Sequence, residues 1–244
     1  MPSIAENLAA VEDRIVAAAD RAGRDPADVR LVAVTKTFGP EAVTEAIRAG
    51  ASLLGENRVQ EAAAKIPLCP SAEWHLIGHL QSNKVRRALA LFSAFHSVDT
   101  VKLLEEIAKA SEETGRRPDL LLEVNVAGEA SKFGFRPDDV ADALRAASSL
   151  GLSVTGLMTV PPFRPDPEAV RPAFRALREL RDRLQDETGC GLPELSMGMS
   201  HDFEVAIEEG ATWVRIGTAL FGDRPKWQPQ RLADDSGDQV FTRD

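Results

Sequence analysis

Short apolar runs alternate with amphipathic stretches along most of the chain. The runs RLVAVT, SLLGEN, WHLIGH, FHSVD, LLLEVNV, SVTGLMTV, PELSM and WVRIGT read as strands with both faces buried, because they are short, rich in branched residues and bounded by turn formers. Between them lie helical patterns. PEAVTEAIRAG has Pro40 at a first helical position and Gly50 as its stop, and DTVKLLEEIAKASEETG has Asp99 as its expected N-cap and Gly115 at its end. Ahead of the first strand, residues 3–24 predict one more helix. Ser3 and Glu6 are spaced as a capping box, and Ile4, Leu8, Val11 and Ile15 fall on one face.

Eight strand–helix units in 244 residues predict a single α/β domain, a (β/α)8 TIM barrel over residues 1–222 that includes the added N-terminal helix. From residue 223 to 244 the chain turns polar and rich in Pro, Asp and Gln, which predicts a loosely held tail. No GxGxxG follows the first strand, which argues against a dinucleotide fold.

Composition narrows the function classes. The chain is 43% hydrophobic and 27% charged, as in ordinary globular proteins, and no run approaches the ~20 apolar residues of a membrane span. Its N-terminus lacks the basic and apolar pattern of a signal peptide, so a cytoplasmic location is expected. The net charge of −9 disfavours a nucleic-acid surface. Cys69 and Cys190 form no CxxC spacing, and no metal site is expected; His75 and His79 are four apart, but on a strand and without a third ligand.

In such barrels the chemistry sits where the strands stop. That rule selects Lys36, Glu56, Asn57, His79, Asp99, Met158, Thr159, the segment 197–200, Gly217 and Thr218. Lys36 closes the run LVAVTK, as either a solvated end-of-strand charge or an amine at the mouth of a site. The loops after strands 7 and 8, SMGMSHDFEVAI and RIGTALFG, are placed where barrels cradle phosphate. Ser200 reads either as a hydroxyl of that cradle at a helix start or as a plain N-cap, with Gly198 a turn residue. A phosphate cradle with a lysine suggests pyridoxal 5′-phosphate, whose aldehyde condenses with an amine and whose ring nitrogen takes an Asp or Arg partner. Arg215 interrupts the apolar strand WVRIG, as a donor to that nitrogen or as an internal partner of Glu123. Ser200, His201 and Asp202 contain the letters of a triad, but neighbours at a helix start point apart. Lys84, Arg86 and Arg87 read as a solvated basic face, and Lys65 and Lys132 as minor surface acceptors for an aldehyde.

Taken together, LVAVTK, GENRVQEAAAK, WHLIGHLQSNK, HSVD, LLEVNV with KFGF, GLMTVPP and LSMGMSHDFEVAIEEGATWVRIGTALFG resemble, in order, the pyridoxal phosphate homeostasis protein family. The resemblance runs from about residue 4 to Gly222, and it implies the fold type III barrel, similar to the N-terminal barrel of alanine racemase. It further implies a Schiff base on Lys36, Arg215 facing the ring nitrogen, and Ser200, Gly217 and Thr218 on the phosphate, with Asn57 and Met199 lining the pocket. Arg58 and His79 differ from the residues many members carry there. Alanine racemase needs a tyrosine as second base, and this chain contains none. The expectation is therefore a monomeric carrier that binds, buffers and delivers the cofactor through transient contact with apo-enzymes, with no catalytic residue. The alternative is an amino-acid racemase or another Schiff-base enzyme, in which His79 or His201 would supply the base.

Overall fold

The computed structural model describes residues 2–128 and 133–222. Helix α1 (Ile4–Arg21) precedes eight strands: β1 (Arg30–Val34), β2 (Leu53–Glu56), β3 (Glu73–Leu76), β4 (Ala94–Val98), β5 (Asp119–Glu123), β6 (Val154–Met158), β7 (Glu194–Met199) and β8 (Trp213–Ile216). Between and after them run α2 (Pro40–Arg48), α3 (Val59–Lys65), α4 (Val85–Leu91), α5 (Val101–Thr114), α6 (Val140–Ser149), α7 (Arg171–Thr188), α8 (Phe203–Glu208) and α9 (Thr218–Phe221). The strands pair in parallel in chain order and close, β8 meeting β1 with Leu31 opposite Val214 and Val32 opposite Arg215. This is the (β/α)8 barrel that the eight apolar runs predict.

Alternation along the strands sorts the side chains into two compartments. Ala33, Leu54, Leu76, Phe95, Leu122 and Val214 belong to the large core between barrel and helices. Val32, Leu53 and Trp213, with Ile77 packed on them, form a separate small cluster inside the barrel. Helix α1 carries the expected capping box, with Ser3 Oγ accepting from Glu6 N–H and the Glu6 side chain accepting from Ser3 N–H. Its buried face is Leu8, Val11 and Ile15, and Asn7 Nδ2 donates to the Leu220 carbonyl at 2.9 Å, tying it to α9.

Two helix starts differ from expectation. The N-cap of α5 is Thr100, whose hydroxyl accepts from Leu103 N–H; Asp99 instead turns back to His79. Ser200 is not an N-cap either: α8 begins at Phe203 after Asp202, whose carboxylate takes the Met199 N–H at 2.6 Å. Pro40 does open α2, and Gly115 ends α5 in the left-handed region at φ 69°. The expected tail, 223–244, and Lys132 lie outside the described residues.

Close approach of β6 to β7 depends on Gly156, where a Cβ would stand 2.1 Å from the Glu194 carbonyl oxygen. Gly156→Ala must push backbone against backbone, so it should cost about 2 kcal/mol or more. For a chain of this size that lowers Tm by at least roughly 4 °C in a thermal melt. An unchanged Tm would contradict this register.

Candidate active site at the barrel mouth

Lys36 stands in a tight turn just beyond β1. Thr35 N–H still pairs with the Gly55 carbonyl at 3.0 Å, so the extended backbone continues one residue past the strand. Counting on from Val32, which faces the interior, alternation assigns Val34 and Lys36 to the same inner side. Lys36 is half-buried. The turn closes with Phe38 N–H on the Thr35 carbonyl at 3.1 Å, and Thr37 takes a left-handed φ of 68°. A branched residue adopts that conformation only where its surroundings impose it.

What imposes it is a buried charge cluster. Lys65, at the end of α3, is fully buried; its Nζ lies 2.5 Å from Glu56 Oε1, donates to the Thr35 carbonyl at 2.8 Å, and sits 3.7 Å from Glu61 Oε2. Glu56 also accepts from the Thr35 hydroxyl at 2.8 Å and from Asn57 N–H at 3.2 Å, while Glu61 accepts from Thr37 N–H at 3.0 Å. Residues 35 and 37 are thus held on both sides of Lys36, and Asn57 by the same carboxylate. Burial pushes the Glu56 carboxyl up, and Lys65 opposes that shift. Lys65 is therefore not the surface lysine that its sequence context suggests: it is an internal counter-charge. Thr37 Oγ1 and Asn57 Oδ1 are buried with no hydrogen-bond partner among the described residues.

Arg215 lies across the barrel on β8 and is 4% exposed. It donates through Nη1 to Ser196 Oγ at 2.7 Å and through Nη2 to the Thr159 carbonyl at 2.9 Å. Burial lowers its pKa to about 10, with Glu123 and Asp202 near enough to favour the cation, so it stays charged at neutral pH. Two neutral acceptors thus hold the guanidinium, and Glu123, the internal partner considered from the sequence, adds negative charge that favours the cation.

The loops after β7 and β8 meet at Ser200. Its hydroxyl oxygen accepts from Gly217 N–H at 3.1 Å and Ala219 N–H at 3.3 Å, which gathers two amide donors and a hydroxyl at one spot, with Thr218 exposed between them. Met199 is half-buried at the end of β7, opposite Arg215 in register. Gly198 has a packing reason of its own: φ is 91°, and a Cβ would meet Ala206 at 2.6 Å. A cavity of about 280 Å³ opens at the ends of β2, β3, β5 and β6, lined by Asn57, His79, Glu123, Met158 and Thr159 among others. Asn57 joins it to the Lys36 turn, and Thr159 to Arg215. At its rim His79 Nδ1 stands 2.7 Å from buried Asp99, with Phe133 stacked on the imidazole at 4.2 Å. His75 belongs elsewhere, in the barrel interior with His96, so the two histidines do not converge. His201 hydrogen-bonds the carbonyls of Arg164 and Pro165 at the surface, away from any triad with Ser200.

The alanine racemase N-terminal domain model matches residues 7–225. A pyridoxal phosphate homeostasis protein of Aquifex aeolicus is 48% identical over 90% of this chain and 97% of its own, and one of Pseudomonas aeruginosa is 46% identical over 94% and 99%. This chain belongs to the pyridoxal phosphate homeostasis protein family. Among solved structures of that family, PipY of Synechococcus elongatus with PLP bound superposes with a TM-score of 0.78 at 39% identity, covering 90% of this chain and 100% of PipY. A D-threonine aldolase from Filomicrobium marinum, at 17% identity and TM-score 0.69, shares the barrel fold alone. Among the described residues, no helix is long and apolar enough to cross a membrane.

Sequence reasoning picked out Glu56 as a mouth residue but missed its partner, and it missed the internal roles of His96 and Ser196. The available signal was Glu56 itself, a carboxylate closing an apolar strand. Lys65→Met leaves that carboxylate buried without its counter-charge and should cost about 3–5 kcal/mol. The double variant Lys65→Met/Glu56→Gln should recover much of the loss, read as a positive coupling in a denaturant double-mutant cycle. Simple additivity would show that the pair does not carry the turn.

Proposed function

We propose that this protein binds pyridoxal 5′-phosphate at the barrel mouth through Lys36 and hands it on to apo-enzymes, without turning over an amino acid. The observation that carries the reading is Arg215. A guanidinium held by Ser196 and Thr159 has donors only, and it remains a cation at neutral pH. Opposite a pyridine nitrogen it would donate a hydrogen bond without giving up a proton, which would leave the ring a weak electron sink. Pyridoxal 5′-phosphate supplies an aldehyde for capture and, in enzymes, a sink for carbanion electrons.

The residues fit the group. Lys36, on the inner side of a turn pinned at Thr35 and Thr37, would hold the cofactor through its amine, the group with which the aldehyde of pyridoxal 5′-phosphate condenses. Ser200, whose oxygen is anchored by the Gly217 and Ala219 amides, would hold the phosphate together with Gly217 and Thr218. Asn57, whose buried Oδ1 is without a partner among the described residues, and Met199 line the pocket. The chain supplies no tyrosine as a second base. In this reading the carrier is a cytoplasmic monomer and meets its acceptor enzymes transiently.

The second reading, an amino-acid racemase or another Schiff-base enzyme, has the His79–Asp99 pair in its favour. A buried carboxylate on Nδ1 orients an imidazole at the cavity rim as a general base would be oriented. The two readings part when the cofactor-loaded protein is mixed with D- or L-alanine, and separately with an apo-enzyme. Optical rotation should stay constant while the apo-enzyme gains activity. Sustained racemisation would overturn the carrier reading.

A further inference from the structure

Barrel interiors are usually filled by branched apolar side chains. Here a continuous polar line crosses the interior. Glu73, at the opposite end of β3 from the mouth, places Oε1 3.2 Å from His75 Nε2. His75 Nδ1 lies 2.9 Å from His96 Nε2, His96 Nδ1 lies 2.8 Å from Ser196 Oγ, and Ser196 Oγ accepts from Arg215 at 2.7 Å. The line draws on β3, β4, β7 and β8. His75, His96 and Ser196 are all buried, and the Trp213 ring packs against both imidazoles, at 4.7 and 5.4 Å.

The two ends dictate where every proton sits. Arg215 can only donate, so Ser196 Oγ accepts from it, and the hydroxyl hydrogen of Ser196 goes to His96 Nδ1. His96 then carries its hydrogen on Nε2 and gives it to His75 Nδ1. His75 in turn carries its hydrogen on Nε2 and gives it to the Glu73 carboxylate. Each donor has one acceptor and the direction is uniform. Burial, the larger cause in both rings, keeps both imidazoles neutral, and the Ser93 hydroxyl helps keep Glu73 ionised. Other charges facing the line are Arg30 and Asp119 near His75, Arg30 near His96, and Glu123 and Asp202 near Arg215.

We propose that Ser196, His96, His75 and Glu73 are positioning residues for Arg215. They fix the roll and the donor pattern of its guanidinium, and they make its grip on a ligand at the mouth answer to protonation at the far rim of the barrel. The inference rests on the reading of Arg215 as the partner of the cofactor ring. Proton uptake by His75 would put donors on both its nitrogens. The His96 hydrogen would then have to move to Nδ1, and the Ser196 hydroxyl would lose its acceptor.

The first test needs no cofactor. In 15N-histidine-labelled protein at neutral pH, both rings should appear as neutral Nε2–H tautomers; an Nδ1–H tautomer at His75 or His96 would overturn the proposal. The second test compares Ser196→Ala, Ser196→Thr and Glu73→Gln after loading with pyridoxal 5′-phosphate. Ser196→Ala removes one hydrogen bond to a charged group, so release should be about tenfold faster. Ser196→Thr, which keeps the hydroxyl, should restore it. Glu73→Gln, at an exposed position far from the mouth, should displace the pH profile of the bound chromophore with little change in Tm. Release rates and pH profiles that match wild type in Ser196→Ala and Glu73→Gln would overturn the proposal. A wild-type protein that takes up no cofactor would instead refute the carrier reading, and the tautomers would still decide the arrangement of the line.

Discussion

Lys65 and Glu56 hold opposite charges 2.5 Å apart beneath the turn that carries Lys36, both side chains fully buried. Such a pair is a poor source of stability, because removing two ions from water costs about as much as their attraction returns. Its return here is geometric. The ammonium takes the Thr35 carbonyl, Glu56 takes the Thr35 hydroxyl and the Asn57 amide, and Glu61 takes the Thr37 amide. One cluster therefore sets the backbone on both sides of Lys36 and at the start of the pocket wall. The left-handed Thr37 is the local strain that this arrangement sustains.

Across the mouth the design differs. Arg215 is a permanent donor held by neutral acceptors and by the Ser196–His96–His75 line behind it. In the proposed reading, a covalent hold at Lys36 with a donor-only contact on the ring would favour retention over carbanion chemistry. The His79–Asp99 pair shows that acid–base groups do reach the cavity, so the proposed carrier role rests on the donor-only character of Arg215 rather than on a lack of titratable side chains.

The barrel was legible because strands buried on both faces leave an unbroken apolar record, and because Pro40 and Gly115 act through their own backbones. Mouth residues were legible for a related reason, since position at a strand end is a local property. The errors fall where a side chain chooses between a near and a distant partner. Asp99 prefers His79 to its own helix, and Ser200 reaches across to the β8 loop instead of capping α8. Lys65 follows three alanines on a short helix, and only the closed barrel brings Glu56 and Thr35 to its ammonium. The interior line spans strands more than a hundred residues apart in sequence, from Glu73 to Arg215, so nothing in local pattern announces it.

In the proposed reading, the amine held over the buried Lys65–Glu56 pair is the one that captures the aldehyde. Intact-mass analysis of the protein loaded with pyridoxal 5′-phosphate, before and after borohydride reduction and followed by peptide mapping, tests it most directly. One stable pyridoxyl adduct is expected, carried by the peptide containing Lys36. A reduced protein without added mass, or an adduct distributed over other lysines with position 36 unmodified, would contradict it.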